Sequence, residues 1–469
     1  MGMHFDNTYA RLPSRFYARL EPQPVRAPGL IRVNPALARY LGIDPEWLAS
    51  EGGVEVLAGN RVPSVAEPLA MAYAGHQFGN WVPQLGDGRA LLLGEVIASD
   101  GRRYDIQLKG SGRTPFSRGG DGRAPLGPVL REYVVSEAMH ALGVPTTRSL
   151  GAVSTGEAVY RDGPQPGAVL ARVAASHIRI GTFQYFAARQ DVDGLHLLCD
   201  HVIGRHYPEL READNPPQAL LQAVIDRQAE LVARWQALGF IHGVMNTDNM
   251  LLSGETIDYG PCAFMDEYHP ATVFSSIDVQ GRYAYSQQPG IAHWNLTCLA
   301  QALLPVLADQ PETALAMAQE AVDTFPHRFR VSYRVHMLDK LGITARREDD
   351  DSLLEELFES MAAAKLDFTL TFRRLAELAA DTAADTVEEL VQLSPGLDSW
   401  LPRWQQRMSE QPTDATQRQH RMLASNPVFI PRNHLVEATI RAAEDEGDFQ
   451  PFHRLVDRVV APFEYDRDE

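Results

Sequence analysis

Cysteine is scarce in this chain. There are three in 469 residues, Cys199, Cys262 and Cys298, with no CxxC spacing and no even set to pair. A disulfide framework is therefore not expected, and a reducing compartment is. Positive charge is also short, with 43 Lys and Arg against 61 Asp and Glu and a formal net charge of −18. So acidic a chain argues against a nucleic-acid or anionic-membrane partner, while leaving room for a basic pocket inside an acidic shell. No stretch approaches ~18 consecutive apolar residues, so no membrane span is expected. The opening MGMHFDNTYARLPSRFY has no apolar signal core and carries Asp6 where a myristoylation signal has Ser or Thr. The cytoplasm is the expected location. No internal repeat, low-complexity tract or GxSxG hydrolase elbow is present. What remains, 45% apolar and 22% charged, is an ordinary globular chain with a length prior of about three domain-sized units.

Secondary-structure signals divide the chain unevenly. Residues 1–65 carry two short helices announced by Asn34-Pro35 and Asp44-Pro45, each a capping side chain before a first-turn proline, and read as an extension packed on the main body. Residues 66–185 have strand character. Ala90–Ile97 and Arg103–Lys109 flank a Ser99–Arg102 turn and predict a hairpin, with Tyr104, Ile106 and Leu108 on one face and Asp105, Gln107 and Lys109 on the other. A glycine-rich loop over Gly110–Pro128, a helix over Val129–Leu142 and strands around Ala158–Tyr160 and Ala168–Ala174 complete a small mixed α/β unit. From Pro217 the pattern turns helical, with Leu220, Val224, Leu231, Trp235 and Leu238 on one face. Residues 186–345 and 346–469 read as two mainly helical regions. The acidic run Glu348–Asp351 reads as a solvated loop and helix start.

The long helix runs into the most informative stretch, Phe240–Gly260, FIHGVMNTDNMLLSGETIDYG. It predicts two short strands joined by a tight turn, delivering Asp248, Asn249 and Asp258. An Asn and an Asp that hold divalent metal against a triphosphate, with a carboxylate near the attacking hydroxyl, are what phosphoryl transfer needs. His242 and Asn249 stand seven apart, and Asp258-Tyr259-Gly260 follows, which is the spacing of a protein-kinase catalytic loop and its metal-binding turn. The position of the kinase base, two after the His, is Val244, which cannot accept a proton. Either the chemistry is altered, with Asp248 as the nearest carboxylate, or the site binds nucleotide without transfer.

Other candidates follow from this frame. Lys109 at the end of its strand would reach phosphates, oriented by Glu132 on the next helix; the plainer alternative is a solvated edge lysine. Gly86 and Gly88 with Arg89, in Leu85–Arg89, would let backbone N–H groups approach phosphate oxygens, though a plain turn reads equally from the sequence. The Ser117–Arg123 loop, with Asp121 and Gly122, is dense in donors and predicts an anion site. Arg172, in an otherwise apolar strand, and Arg179 predict carboxylate or phosphate partners. His196, Cys199, Asp200, His201 and His206 have no zinc-module spacing and read as scattered polar residues of a helix.

The segments YAGHQFGNWVPQLGDGRA, DIQLKGSGRTPFSRGGDGRAPLGPVLREY and HGVMNTDNMLLSGETIDYGP together resemble the selenoprotein O family of pseudokinase-like protein nucleotidyltransferases. The later Asn426-Pro427 and Arg432-Asn433 fit as well, so the resemblance covers nearly the whole chain. It implies an α+β, two-lobed protein-kinase-like fold with a small mixed lobe, a mainly helical lobe and N- and C-terminal extensions. It also implies transfer of AMP from ATP, or in some bacterial members UMP from UTP, to Ser, Thr or Tyr hydroxyls of proteins, with Mg²⁺ or Mn²⁺. By motif position it implies phosphate contacts from Gly86, Gly88, Arg89, Lys109, Asp121, Gly122, Arg172 and Arg179, Asp248 as proton acceptor, and Asn249 and Asp258 as metal ligands. The family binds its nucleotide inverted relative to kinases, which gives a reason for Val244. The last residues, Glu464–Glu469, hold no cysteine or selenocysteine, so the terminal selenol of the eukaryotic branch is not expected.

Overall fold

A computed structural model describes residues 3–380 and 397–465. Its centre is an antiparallel sheet of eight strands, in the order β1 (Tyr17–Arg19), β3 (Leu69–Met71), β6 (Ala90–Ile97), β7 (Arg103–Lys109), β10 (Pro164–Ala174), β9 (Arg148–Tyr160) and β2 (Gly29–Val33), with the short β8 (Ala124–Pro125) paired to β10. Strands from residues 1–65 thus complete both ends of the sheet. A separate two-stranded hairpin, β4 (Gly75–Gln77) and β5 (Asn80–Val82), stands outside it.

One face of the sheet is closed by α1 (Pro35–Tyr40), α2 (Pro45–Ala49) and α3 (Glu51–Ala58), whose Leu37, Leu48 and Leu57 pack with Ile106 and Leu108 of β7. The caps are those expected: Asn34 accepts the Leu37 N–H at 3.1 Å and Asp44 accepts the Glu46 N–H at 3.0 Å. The other face takes α4 (Leu126–Ala141), which is itself covered by the helices Asn433–Asp445 and Gln450–Val459. Here the structure corrects the sequence reading. The helix begins at Leu126 rather than Val129, because a proline at the third helical position, Pro128, lacks only an N–H that has no intrahelical acceptor anyway. Glu132 therefore lies in the second turn, buried, and does not open the helix. Beyond Ala141 the chain turns at Gly143, with φ 78°, where the Gly143 and Val144 N–H groups return to the carbonyls of His140 and Met139. β9 and β10 also extend well past the segments expected from their apolar runs, pairing with each other as far as Tyr160 and Pro164.

After β10 come α5 (Ile180–Ala187), α6 (Val192–His206) and α7 (Pro216–Ala237), and helices predominate among the described residues from there on. Leu220, Val224, Leu231 and Trp235 of α7 are buried in the largest core cluster, and Leu238 packs partly against it. α8 (Gln288–Leu307) with the turn before it, Tyr285–Leu307, is the one helix among the described residues long and apolar enough to cross a membrane. Its apolar side is spent on α5, α7 and α9 (Pro311–Val322). α10 (Phe325–Lys340), α11 (Asp350–Ala364) and α12 (Phe368–Leu378) follow. Asp350, read as part of a solvated run, is buried and pairs with Arg407 at 2.6 Å.

Candidate active site

A cavity of about 510 Å³ opens between the sheet and the Phe240–Gly260 stretch. Its lining contains every candidate named from sequence except Glu132, namely Gly86, Gly88, Arg89, Lys109, Asp121, Gly122, Arg172, Arg179, Asp248, Asn249 and Asp258. Glu132 is buried behind Lys109.

The sheet supplies one wall because β7 is polar on the cavity side and β10 contributes Arg172 in register with Gln107. The polar face of β7 is buried rather than solvated. Asp105 accepts from Arg205 at 2.6 Å and from the His177 backbone at 2.9 Å, and Gln107 accepts from Arg172 at 2.5 Å. Lys109 then reaches Glu132 at 2.5 Å and Asp258 at 3.0 Å. Arg172 meets Glu132 at 3.0 Å and Asp258 at 2.6 Å, while Arg179 meets Asp258 at 2.9 Å and the Asp248 carbonyl at 2.7 Å. These residues are salt-bridged to carboxylates and at the same time line the cavity. Three cations converge on one carboxylate. Burial alone would raise the Asp258 pKa, but Arg172, Lys109 and Arg179 override it and hold the carboxyl well below its ordinary range. Glu132 is lowered likewise, its burial outweighed by Lys109 and Arg172. Asp258 keeps a left-handed backbone, φ 62°, which an L-residue adopts at a cost of roughly 1–2 kcal/mol and which these ion pairs offset.

The catalytic stretch is assembled differently from the expected hairpin. Its two arms do not pair with each other: Leu251 bridges to Arg179, and Thr256 bridges in parallel to Thr146. Each arm is stitched to the surrounding fold, with Gln228 of α7 donating to the Leu251 carbonyl at 2.8 Å and Trp235 Nε1 to Thr256 at 3.0 Å. His242 is structural. Its Nε2 donates to the Ile257 carbonyl at 2.8 Å and its Nδ1 accepts the Val244 N–H at 3.3 Å, so the ring is neutral, and burial pushes its pKa down.

Asp248 is set apart by its proton affinity. In the ligand-free site burial pushes it up to about 6, only partly offset by Arg179. Its Oδ1 is buried with no hydrogen-bond partner, and Oδ2 takes a long bond of 3.4 Å from Gln77. Asn249 commits its amide nitrogen to the Val244 carbonyl at 3.0 Å, which leaves its amide oxygen to accept. The available donors are therefore all oxygen, and no group of three or more His, Cys, Asp or Glu side chains gathers as a self-sufficient metal cage among the described residues. That set suits a hard cation such as Mg²⁺, which binds through one or two carboxylates plus substrate phosphates. His196, Cys199 and Asp200 lie along α6, where His201 packs edge-on against Tyr9 and His206 meets Ser176 at 2.7 Å.

The glycine turn is pinned from beneath. Asp87 is buried, accepting the Met71 N–H at 3.0 Å and Gln107 Nε2 at 3.2 Å, and burial pushes its pKa up to about 6 despite Arg179. A Cβ on Gly86, which has φ 100°, would fall 2.4 Å from the Phe116 ring. Across the cavity Asp121 pairs with Arg161 at 3.0 Å and its carboxylate caps the Arg123 N–H at 2.9 Å. Sequence reasoning missed Asp87, Gln107, Phe116, Arg161, Asn246 and Gln77. All but Arg161 lie inside the quoted motifs, and nothing local in the sequence distinguishes Arg161.

A glycine turn, a lysine–glutamate pair and the Asn249 and Asp258 side chains around one cavity define an enzyme of nucleotide-dependent group transfer. Over residues 1–460 the chain matches the family described as protein adenylyltransferase SelO. It is 59% identical over 474 residues to the protein nucleotidyltransferase YdiU of Rhodopseudomonas palustris, covering 100% of this chain and 96% of the relative. It is 58% identical over 466 residues to the protein of that name from Bradyrhizobium diazoefficiens, covering 99% and 95% of the two chains. The same 58% holds over 467 residues for that of Methylorubrum extorquens, covering 98% and 94%. The chain belongs to the SelO family of protein nucleotidyltransferases.

Proposed function

We propose that the chain moves AMP from ATP to Ser, Thr or Tyr hydroxyls of proteins in the cytoplasm, on a two-lobed kinase-like scaffold and with Mg²⁺ or Mn²⁺. UTP as donor of UMP is the second arm of the same reading. The smaller lobe is built on residues 66–185 and the larger on 186–345, with 1–65 and 346–469 as extensions. The observation that carries the reading is the convergence of Lys109, Arg172 and Arg179 on Asp258, in a cavity where the buried Asp248 carboxylate stands next to Asn249.

A triphosphate bound with its γ-phosphate among those three cations presents its α-phosphate to Asp248. Asn249 and Asp258 would hold the metal, which neutralises charge on the phosphates. For that, Asp258 must give up part of its cation shell, and the γ-phosphate is the anion that takes it over. The acceptor hydroxyl, aligned by Asp248, attacks the α-phosphorus. The new O–P bond forms as the bond to the bridging oxygen of the β-phosphate breaks, pyrophosphate leaves with the electron pair, and the hydroxyl proton passes to Asp248. Val244 is compatible with this geometry because no base is required at that position. Incubation with ATP labelled at the α- or the γ-phosphate tests the reading. Label is expected on protein from the α-position only; γ-label on protein would convert the enzyme into a phosphotransferase.

A catalytically silent nucleotide-binding scaffold is the alternative. The buried, unpartnered Oδ1 of Asp248 counts against it, since a binding-only site gains nothing from an unsatisfied carboxylate oxygen.

A further inference from the structure

Transfer to a protein requires a seat for that protein beside Asp248, and one rim of the cavity has features that the nucleotide chemistry leaves unused. The β4–β5 hairpin turns through Phe78 and Gly79, φ 50° and 80°, the paired left-handed conformations of a tight two-residue turn. It leans on the catalytic loop instead of the main sheet. The His76 N–H donates to Thr247 Oγ1 at 2.7 Å and the Phe78 N–H to Asn246 Oδ1 at 3.0 Å, with Gln77 between them reaching Asp248. Gly75 lies so close that a Cβ there would stand 2.9 Å from Asp248 Oδ1.

The turn at residues 278–283 forms the adjoining part of the rim. Asp278 accepts the N–H groups of Arg282 and Tyr283 at 2.9 and 2.7 Å, and the Tyr283 hydroxyl donates to the same Asn246 oxygen at 2.7 Å. The Tyr283 ring lies 5.0 Å from that of Phe78. Asn246, two residues before Asp248, thus ties both pieces of rim to the reaction centre. On this fixed frame Ile277, Val279 and Trp81 are 69%, 93% and 41% exposed. Arg282 stacks on Trp294 at 4.9 Å and faces the hairpin tip, yet no acidic side chain among the described residues pairs with it, and its Nε is buried without a hydrogen-bond partner. Apolar side chains held out to solvent beside an unneutralised guanidinium, on a chain of net charge −18, are the makings of a binding surface.

We propose that this rim is the docking surface for the acceptor polypeptide. A segment of the acceptor lays an apolar side chain on Ile277 and Val279, turns an acidic side chain toward Arg282, and so brings its hydroxyl to Asp248. The inference rests on the nucleotidyl-transfer reading and supplies its acceptor preference, for hydroxyls flanked by apolar and acidic residues.

The test uses the full chain, α-labelled ATP and two probes, a random copolymer of Glu and Tyr and one of Lys and Tyr, with soluble cell protein as a third acceptor. Ile277→Asp/Val279→Asp and Arg282→Glu are compared with wild type, folding being checked by thermal melting and ATP affinity by direct titration. KM for the Glu–Tyr copolymer is expected to rise about tenfold or more in both variants, the equivalent of ~1.4 kcal/mol, with ATP affinity unchanged. Arg282→Glu should also shift preference toward the Lys–Tyr copolymer. Unchanged KM, or a fall in kcat alone, overturns the proposal. So does a wild-type dimer that dissociates in the Ile277→Asp/Val279→Asp variant while acceptor KM stays constant, since the rim would then belong to a second copy. A wild type that binds ATP but labels none of the three acceptors overturns the transfer reading itself, and the docking surface with it.

Discussion

Replacing Asp258 by Asn keeps the shape of the site and removes the charge on which Lys109, Arg172 and Arg179 converge at 3.0, 2.6 and 2.9 Å. Two opposite effects follow. Without ligand, buried cations lose a charged partner, Arg172 and Lys109 keeping only Glu132 as a counter-charge. Breaking a buried ion pair on one side costs about 3–5 kcal/mol, so the apo variant should melt several degrees lower. Toward phosphates, the same cations no longer have to be taken from a carboxylate. Each charge-assisted hydrogen bond contributes ~1.5–3 kcal/mol, and recovering part of one is enough for a tenfold change in affinity. Metal-free pyrophosphate, titrated calorimetrically in excess chelator, should therefore bind Asp258→Asn about tenfold or more tighter than wild type. The gain in ATP affinity on adding Mg²⁺ or Mn²⁺, present in wild type, should vanish in the variant. If metal-free pyrophosphate binds the variant more weakly than wild type, the three cations are structural and do not receive phosphate.

Asp248→Asn should lower transfer by about 10²–10⁴-fold with ATP affinity nearly unchanged, the usual contribution of a general base. In wild type kcat/KM should fall as pH drops below about 6, because the free-enzyme carboxyl must be ionised to accept a proton, and the variant should lose that acid limb. Near-wild-type transfer by Asp248→Asn would assign the base elsewhere. Arg172→Ala/Arg179→Ala should abolish the preference for ATP over AMP in binding; retained discrimination would place the γ-phosphate away from them. Glu255 is buried beside the Ala175 N–H and Ser253 hydroxyl, and burial pushes its pKa up to about 7. A raised carboxyl contributes stability that is complete below its unfolded value near 4.5 and lost as pH rises through 7. Glu255→Gln should therefore gain stability relative to wild type at pH 8 and little at pH 5, read by melting at both pH values.

The parts of the site legible in the sequence are those set by short-range pattern. Lys109 and Glu132 follow from a strand and the next helix, and Asn249 and Asp258 from the fixed spacing after His242. The Asn34 and Asp44 caps lie within three residues of the N–H groups that they satisfy. What escaped depends on distant contacts. Asp87 reads as a turn residue until Gln107, from a strand 20 positions on, turns its amide to it. The role of His76 and Gln77 appears only when the hairpin meets a loop 171 residues away. The hairpin expected from the two arms was misread because a Ser-Gly-Glu turn between them fits a hairpin locally, whereas Leu251 takes Arg179 as its backbone partner and Thr256 takes Thr146. The burial that raises the Asp248 pKa is likewise a property of the assembled fold.

In the proposed reaction the cations around Asp258 grip the far end of the triphosphate and leave the α-phosphate facing Asp248. The most direct measurement is a crystal structure of the chain with Mn²⁺ and a non-hydrolysable ATP analogue. The γ-phosphate is expected against Lys109, Arg172 and Arg179 and the α-phosphate nearest the Asp248 carboxylate. A γ-phosphate beside Asp248, with the α-phosphate held by the three cations, would contradict that arrangement.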